Sequence, residues 1–196
     1  MPQVININSQ FTKLDRVESG HNELTMLVRD CIAQVPAAQK KLYDQYAPAA
    51  YGIIKRYMYN DDATAQEILN DSFYKILTKL DQYTFQGAFE GWIRRIVVNT
   101  VTDHLRKNIK DGPQYKEVEE QDAYVNSESV EKLSHKELLS IIQTIPDAQR
   151  TVFNLYVFEN YSHKEIAALL NLTESNSRWY LNDARRRLKE KINPLL

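Results

Sequence analysis

Ser162-His163-Lys164-Glu165-Ile166-Ala167-Ala168-Leu169-Leu170-Asn171-Leu172-Thr173 is a helix start, a short helix and a turn written in twelve residues. Ser162 and Glu165 have the spacing of a capping box, in which each side chain satisfies an orphan amide of the first helical turn. Ile166, Ala167 and Leu170 then lie on one face. Asn171 tolerates the left-handed conformation that ends a helix, and Thr173 can cap the helix that follows. Downstream, Leu181, Ala184, Leu188 and Ile192 recur at helical spacing. Two short helices joined by a three-residue turn, the second ending in basic residues, have the spacing of a helix-turn-helix. Opposite its apolar stripe the second helix carries Trp179, Asn182, Asp183 and Arg186, with Arg178 and Arg185 at the edge. Such donors suit phosphates and base edges. Cations also suit any helix C-terminus, but an exposed indole at Trp179 needs a partner to explain it.

Upstream, Ser134-His135-Lys136-Glu137 is a second capping box, and Leu138, Ile141, Ile142 and Ile145 form its stripe up to Pro146. Asp147 is expected to cap the next helix, which carries Val152, Phe153 and Tyr156. Before residue 134 helical periodicity fails. Gly112-Pro113 and a run rich in acids, Ser and Asn read as a linker over 109–133. Between Ile109 and Leu133 seven acidic residues face three basic ones, whereas Arg178 to Lys191 holds six basic residues against two acidic. The chain's net charge of −1 therefore hides one segment that repels nucleic acid and one suited to binding it.

Four helices are expected ahead of the linker. The first starts at Glu23 with Leu24, Leu27, Val28, Cys31, Ile32 and Val35 on its stripe and stops at Pro36. The second carries Leu42, Tyr46, Ala50, Ile53, Ile54 and Tyr57, with a kink or restart expected at Pro48. Asn60, Asp61 and Asp62 offer caps for the third, whose stripe is Ala65, Ile68, Leu69, Phe73, Ile76, Leu77 and Leu80. The fourth, from about Phe89 to Lys107, turns Phe89, Ile93, Ile96, Val97, Thr100 and His104 inward. No strand or repeat is apparent. The fold class is all-α, with two small helical domains at 23–108 and 134–196 joined by the acidic linker, and an irregular arm over 1–22.

Composition limits the function classes. The 196 residues are 43% hydrophobic, enough for one medium or two small cores, and no apolar run approaches the ~20 residues a membrane helix needs. The opening residues lack the pattern of a signal peptide, so neither export nor membrane insertion is expected. A lone Cys31 forms no internal disulfide and has no neighbouring ligand for a metal, which places the chain in the reducing cytoplasm. His21, His104, His135 and His163 fall in different elements, and no nucleophile, paired-carboxylate or phosphate-loop motif appears. No enzyme activity and no cofactor are expected.

The fourth helix holds a second candidate surface. Arg95, Asn99, Thr102 and Arg106 fall within about 60° on the face opposite the core, with Trp92 beside them. Next to Tyr83-Thr84-Phe85-Gln86-Gly87-Ala88-Phe89, this stripe suits stacking and hydrogen bonding of unpaired bases. The alternative is a solvated arginine face with Trp92 in the core.

Gly91-Trp92-Ile93-Arg94-Arg95-Ile96-Val97-Val98-Asn99-Thr100, preceded by Ile68-Leu69-Asn70-Asp71-Ser72-Phe73 and followed by Asp103-His104-Leu105-Arg106-Lys107, closely resembles region two of the extracytoplasmic-function (ECF) sigma factors of bacterial RNA polymerase. Ile145-Pro146-Asp147-Ala148-Gln149-Arg150-Thr151-Val152-Phe153 with Tyr161-Ser162-His163-Lys164-Glu165-Ile166-Ala167 resembles their region four. The resemblance implies that the third helix docks on the clamp of the polymerase largest subunit through Asn70, Asp71, Lys75 and Lys79. It implies that a loop pocket at Phe85 and Ala88 takes a flipped base with Asn99 as hydrogen-bonding partner, and that Trp92, Arg95 and Arg106 complete the minus-ten surface. Arg178, Trp179, Asn182, Arg185 and Arg186 would read the minus-thirty-five element. It further implies contact with the flap of the second-largest subunit, a linker threaded towards the active-site cleft, promoter DNA as ligand, and a possible anti-sigma factor. The chain departs from the family at Asn70, where Gln is frequent, and in a less basic recognition helix at Trp179, Tyr180, Asn182 and Asp183. Two other readings stand beside it: a homodimeric helix-turn-helix regulator, which binds a two-fold-symmetric site without polymerase, and a sigma-like adaptor that occupies polymerase without opening DNA.

Overall fold

The computed structural model describes residues 22–58, 61–107, 109 and 135–193, and the described residues are helical apart from turns and loops. The arm expected over 1–22 and the linker over 109–133 lie outside them, except that Asn22 already belongs to the first helix and Ile109 is buried. The Ser134 capping box also falls outside.

Helix α1 (22–32) buries Leu27, Val28 and Cys31. It ends earlier than its apolar pattern suggests, because Gln34 takes φ 61° and turns the chain, leaving Ile32 and Val35 exposed. Pro36 therefore starts α2 (Pro36–Tyr57) instead of merely stopping α1; its fixed φ suits a first helical turn, where its missing N–H costs nothing. Helix α2 runs through Pro48 without a restart. The proline and Asp44, whose carbonyl loses its helical partner, both face solvent, so water can replace the missing bond. Asp61 caps α3 (Asp62–Thr78) by accepting from the Thr64 amide at 2.9 Å. A short 3-10 turn (Leu80–Gln82) and a loop lead to α4 (Phe89–Arg106). Helices α2, α3 and α4 pack on one another around Leu42, Ile54, Ile68, Ile76, Phe89 and Val97.

The second bundle contains α5 (His135–Ile142), α6 (Asp147–Val157), α7 (His163–Leu170) and α8 (Glu174–Ile192). The capping box at Ser162 and Glu165 forms, Asn171 sits at φ 57°, ψ 50°, and Thr173 caps α8 through the Asn176 amide at 3.1 Å. Asp147 is not a cap: Pro146 occupies that position, and Asp147 instead accepts from Arg150 at 2.6 Å.

The two bundles are docked. Helix α7 lies on α4 and α6 on the end of α2, and Val152, Leu155, Ile166 and Leu170 share one buried cluster with the first core. The last carbonyls of α2 have no helical partner. Those of Arg56 and Tyr57 accept from Asn154 at 2.9 Å and Arg150 at 3.0 Å, both from the second bundle.

Candidate nucleic-acid interface

The approach to α4 is a loop held in an uncommon shape. Phe85 adopts φ 58° and Gly87 φ 85°, and the Tyr83 hydroxyl donates to the Gly87 carbonyl at 2.9 Å. A bulky residue at positive φ costs roughly 1–3 kcal/mol and persists only where its surroundings fix it. Here aromatic packing does so: Tyr83 meets Phe85 and Phe89 at 4.9 Å and Trp92 at 5.5 Å, while Phe89 and Trp92 stack at 5.6 Å. Phe89 and Tyr83 are buried; Phe85 and Trp92 are half-buried, and Ala88 is exposed at the rim. Trp92 thus belongs partly to the core and partly to the surface.

Along α4 from Trp92 come exposed Arg95 and half-buried Asn99. The stripe does not continue as expected. Thr102 is fully buried and its hydroxyl donates back to the Asn99 carbonyl, while Arg106 donates to the Leu169 carbonyl of α7 at 2.7 Å. Helix α4 packs on α2 and α3 on one side and on α7 on another, so its buried face is wider than one bundle requires. Between the bundles a cavity of about 270 Å³ is lined by Arg94, Arg95, Glu159, Tyr161 and Glu165.

Asn70 and Asp71 of α3 and Lys79 at its C-cap are exposed, whereas Lys75 pairs with Asp103 of α4 at 3.5 Å. Sequence reasoning missed Tyr74, which is 71% exposed on the same surface. The available signal was phase: Tyr74 falls outside the stripe of Phe73, Ile76 and Leu77, where an aromatic has no core to enter.

On α8 the expected recognition face is rearranged. Asp183 is buried, not exposed, and accepts from Gln149 of α6 at 2.9 Å and from Arg186 and Arg187. Burial acts to raise its carboxyl pKa, but the bonds from Arg187, Arg186 and Gln149 outweigh it and hold the group below the usual carboxylate range. The acid therefore orients two arginines and is sequestered from phosphates. Arg186 also pairs with Glu190 and Arg178 with Glu174, while Arg185 lies over the Tyr156 ring at 5.7 Å. Trp179 is half-buried edge-on to Tyr180, and Asn182 is half-buried. The His163 ring stacks on Tyr156 and shares a 2.9 Å hydrogen bond with the Ser177 hydroxyl, which fixes α7 against α8.

Because the folded pKa of Asp183 is depressed, its contribution is complete above the unfolded value of about 3.9 and disappears as pH falls through the lower folded value. Asp183→Asn is expected to destabilise the protein by about 1.5–3 kcal/mol at neutral pH, the worth of hydrogen bonds to a charged group. Thermal melts from pH 7 down to about pH 2 should show this gap narrowing with acid. A gap independent of pH would mean that the carboxylate charge contributes nothing.

The loop and stripe on α4 and the arginine-bearing α8 are two separate polar and aromatic surfaces on the molecule. Residues 42–110 match the sigma-70 region 2 family and residues 135–188 match sigma-70 region 4. The chain belongs to the sigma-70 family of RNA polymerase sigma factors, in its ECF group, and is a non-enzymatic transcription initiation factor. It is 24% identical over 185 residues to the RNA polymerase sigma-H factor of Pseudomonas aeruginosa, covering 84% of this chain and 93% of that protein. It is 23% identical over 168 residues to the ECF RNA polymerase sigma-E factor of Escherichia coli, covering 78% and 85%. A solved structure of the sigma factor RpoE in complex with the anti-sigma factor NepR from Bartonella quintana aligns over 79% of this chain and 96% of that one, at 16% identity and a TM-score of 0.48. Among the described residues no helix is long and apolar enough to cross a membrane.

Proposed function

We propose that this sigma factor binds core RNA polymerase through α3, reads a minus-thirty-five duplex through α8, and captures an unpaired minus-ten base in the loop before α4. In this reading residues 23–108 and 134–196 act as separate modules on promoter DNA, with 109–133 between them. The observation that carries it is the left-handed Phe85, whose ring rests on Tyr83 beside Trp92 and the Arg95–Asn99 stripe. A base removed from the duplex costs a few kcal/mol of stacking, which an aromatic pocket and an amide partner return. Arg178, Arg185 and Arg186 then supply phosphate and base-edge contacts on α8, with Trp179 and Asn182 beside them.

The test is a pull-down with core polymerase followed by run-off transcription on fragmented genomic DNA, with and without the protein. Protein-dependent transcripts sharing two upstream elements would support the reading. Binding without transcripts would favour the adaptor, and a two-fold-symmetric site bound without polymerase would favour the homodimeric regulator.

Tyr74 is the anchor expected on the polymerase face, since exposed tyrosines that become buried dominate interface energies. Tyr74→Ala should weaken core binding by about tenfold or more in a competition assay, with melting temperature unchanged. An unaltered affinity would move the docking surface away from this part of α3.

A further inference from the structure

Asp183 is an acid on a helix proposed to meet a polyanion, and its surroundings give it a use there. Its side chain is 7% exposed. One carboxylate oxygen, Oδ1, accepts from Nη2 of Arg186 at 2.5 Å, while Oδ2 accepts from Nε of Arg187 at 2.7 Å and from the Gln149 amide of α6 at 2.9 Å. Gln149 is itself buried, so the carboxylate is pinned from beneath and holds one guanidinium on each oxygen. The two arginines stay 56% and 40% exposed at their side chains. A guanidinium has five N–H donors in a rigid fork. Arg187 uses its Nε towards Asp183, which leaves its two terminal amino groups in the geometry that suits phosphate oxygens. Arg186 gives one terminal nitrogen to Asp183 and the other to Glu190 at 2.7 Å, so its direction along the helix is set as well.

We infer that Arg186 and Arg187 form a fixed clamp for a backbone phosphate of duplex DNA, with Asp183 and Gln149 as the residues that position it. The inference rests on the reading of α8 as the duplex-binding helix, and it adds Arg187, which helical spacing alone did not place on the exposed face. Position along the helix selects phosphate over base. Both arginines lie in the C-terminal half of α8 (Glu174–Ile192), whereas a recognition helix meets base edges with its N-terminal residues. Phosphate contacts fix the register and orientation of the protein on the duplex. A mobile arginine must be ordered as it binds; these two are ordered beforehand, so less freedom is lost on contact. At Asp183 two effects of opposite sign compete. Counted as charge alone, an acid beside a phosphate site weakens binding, and its removal strengthens it. As a positioning group, its removal releases both arginines and weakens binding.

The test titrates the full chain against a labelled duplex of mixed sequence, about 30 base pairs long, over a series of salt concentrations, because phosphate contacts need neither promoter nor polymerase. Arg187→Gln should weaken binding about fivefold and make the slope of log affinity against log salt shallower by about one. Asp183→Asn should weaken binding about three- to tenfold although it removes a negative charge, and Gln149→Leu, which changes no charge, should weaken it about twofold. Coupling separates positioning from folding. In a chain already carrying Arg186→Gln and Arg187→Gln, Asp183→Asn should cost no further affinity, whereas a purely structural loss would persist. Circular dichroism at the titration temperature verifies that each variant is folded, and Gln149→Leu carries the comparison where Asp183→Asn is not. Tighter or unchanged binding by Asp183→Asn, unchanged binding by Gln149→Leu, or an undiminished loss in the double-arginine background would overturn the positioning role. An unchanged salt slope in Arg187→Gln would remove that residue from the duplex. Failure to bind core polymerase would instead sink the sigma reading itself, and these titrations would still report on the clamp.

Discussion

Asn99→Ala and Trp92→Ala are each expected to reduce promoter opening by about ten- to a hundredfold while leaving the binding of core polymerase intact. A base stacked on an aromatic side chain is worth about 1–3 kcal/mol, and an unmade edge contact adds a comparable loss. The effect belongs to opening because, on the proposed reading, these side chains act on unpaired bases and not on the duplex. Trp92→Ala also removes a ring stacked on Phe89, so part of its effect is structural; Trp92→Phe restores packing and separates the two. Asn99 is half-buried on the surface of α4, and its truncation should leave the melting temperature within a degree or two. Permanganate footprinting measures opening, and gel-shift titration of the holoenzyme measures binding. Equal losses in both would remove α4 from the melting step.

The second large effect concerns Arg150, a residue with no expected contact to DNA. Its side chain is 6% exposed and donates to the carbonyls of Ile145 at 2.9 Å and Tyr57 at 3.0 Å, and to Asp147 at 2.6 Å. Arg150→Leu keeps apolar bulk but leaves two buried carbonyls without donors, at about 1–3 kcal/mol each. A loss of about 2–5 kcal/mol is expected in urea denaturation, a large share of a domain's stability. Arg150→Lys should recover little of it, since an ammonium cannot span carbonyls that the guanidinium fork reaches together. A loss below about 1 kcal/mol would mean that water reaches those carbonyls in the folded protein.

The α2 terminus also shows where sequence reading stops. The helices were legible because a buried face imposes a period of 3.6, and because Asp61, Ser162, Asn171 and Thr173 are residues whose local chemistry fixes a cap or turn. Local signals failed where two local options compete. Pro36 both stops one helix and starts another, and only the turn at Gln34 decides between them. Pro48 is tolerated because the carbonyl it orphans faces water, which depends on where the core lies.

The candidate site divides along the same line. Trp92, Arg95 and Asn99 lie at helical spacing on one face, so the sequence placed them together. Asp183 looked exposed by the same arithmetic, but Gln149, thirty-four positions away, turns it into the buried partner of Arg186 and Arg187. Thr102 looked exposed but is fully buried, and Arg106, still exposed, is tied to α7 through the Leu169 carbonyl. By itself the sequence determined most of the helices, the caps at Asp61, Ser162 and Thr173, and the family, because each is written in neighbours a turn apart. Which polar groups stay exposed was decided by tertiary structure alone, since a charge acquires its surroundings from partners that only folding brings within hydrogen-bonding distance.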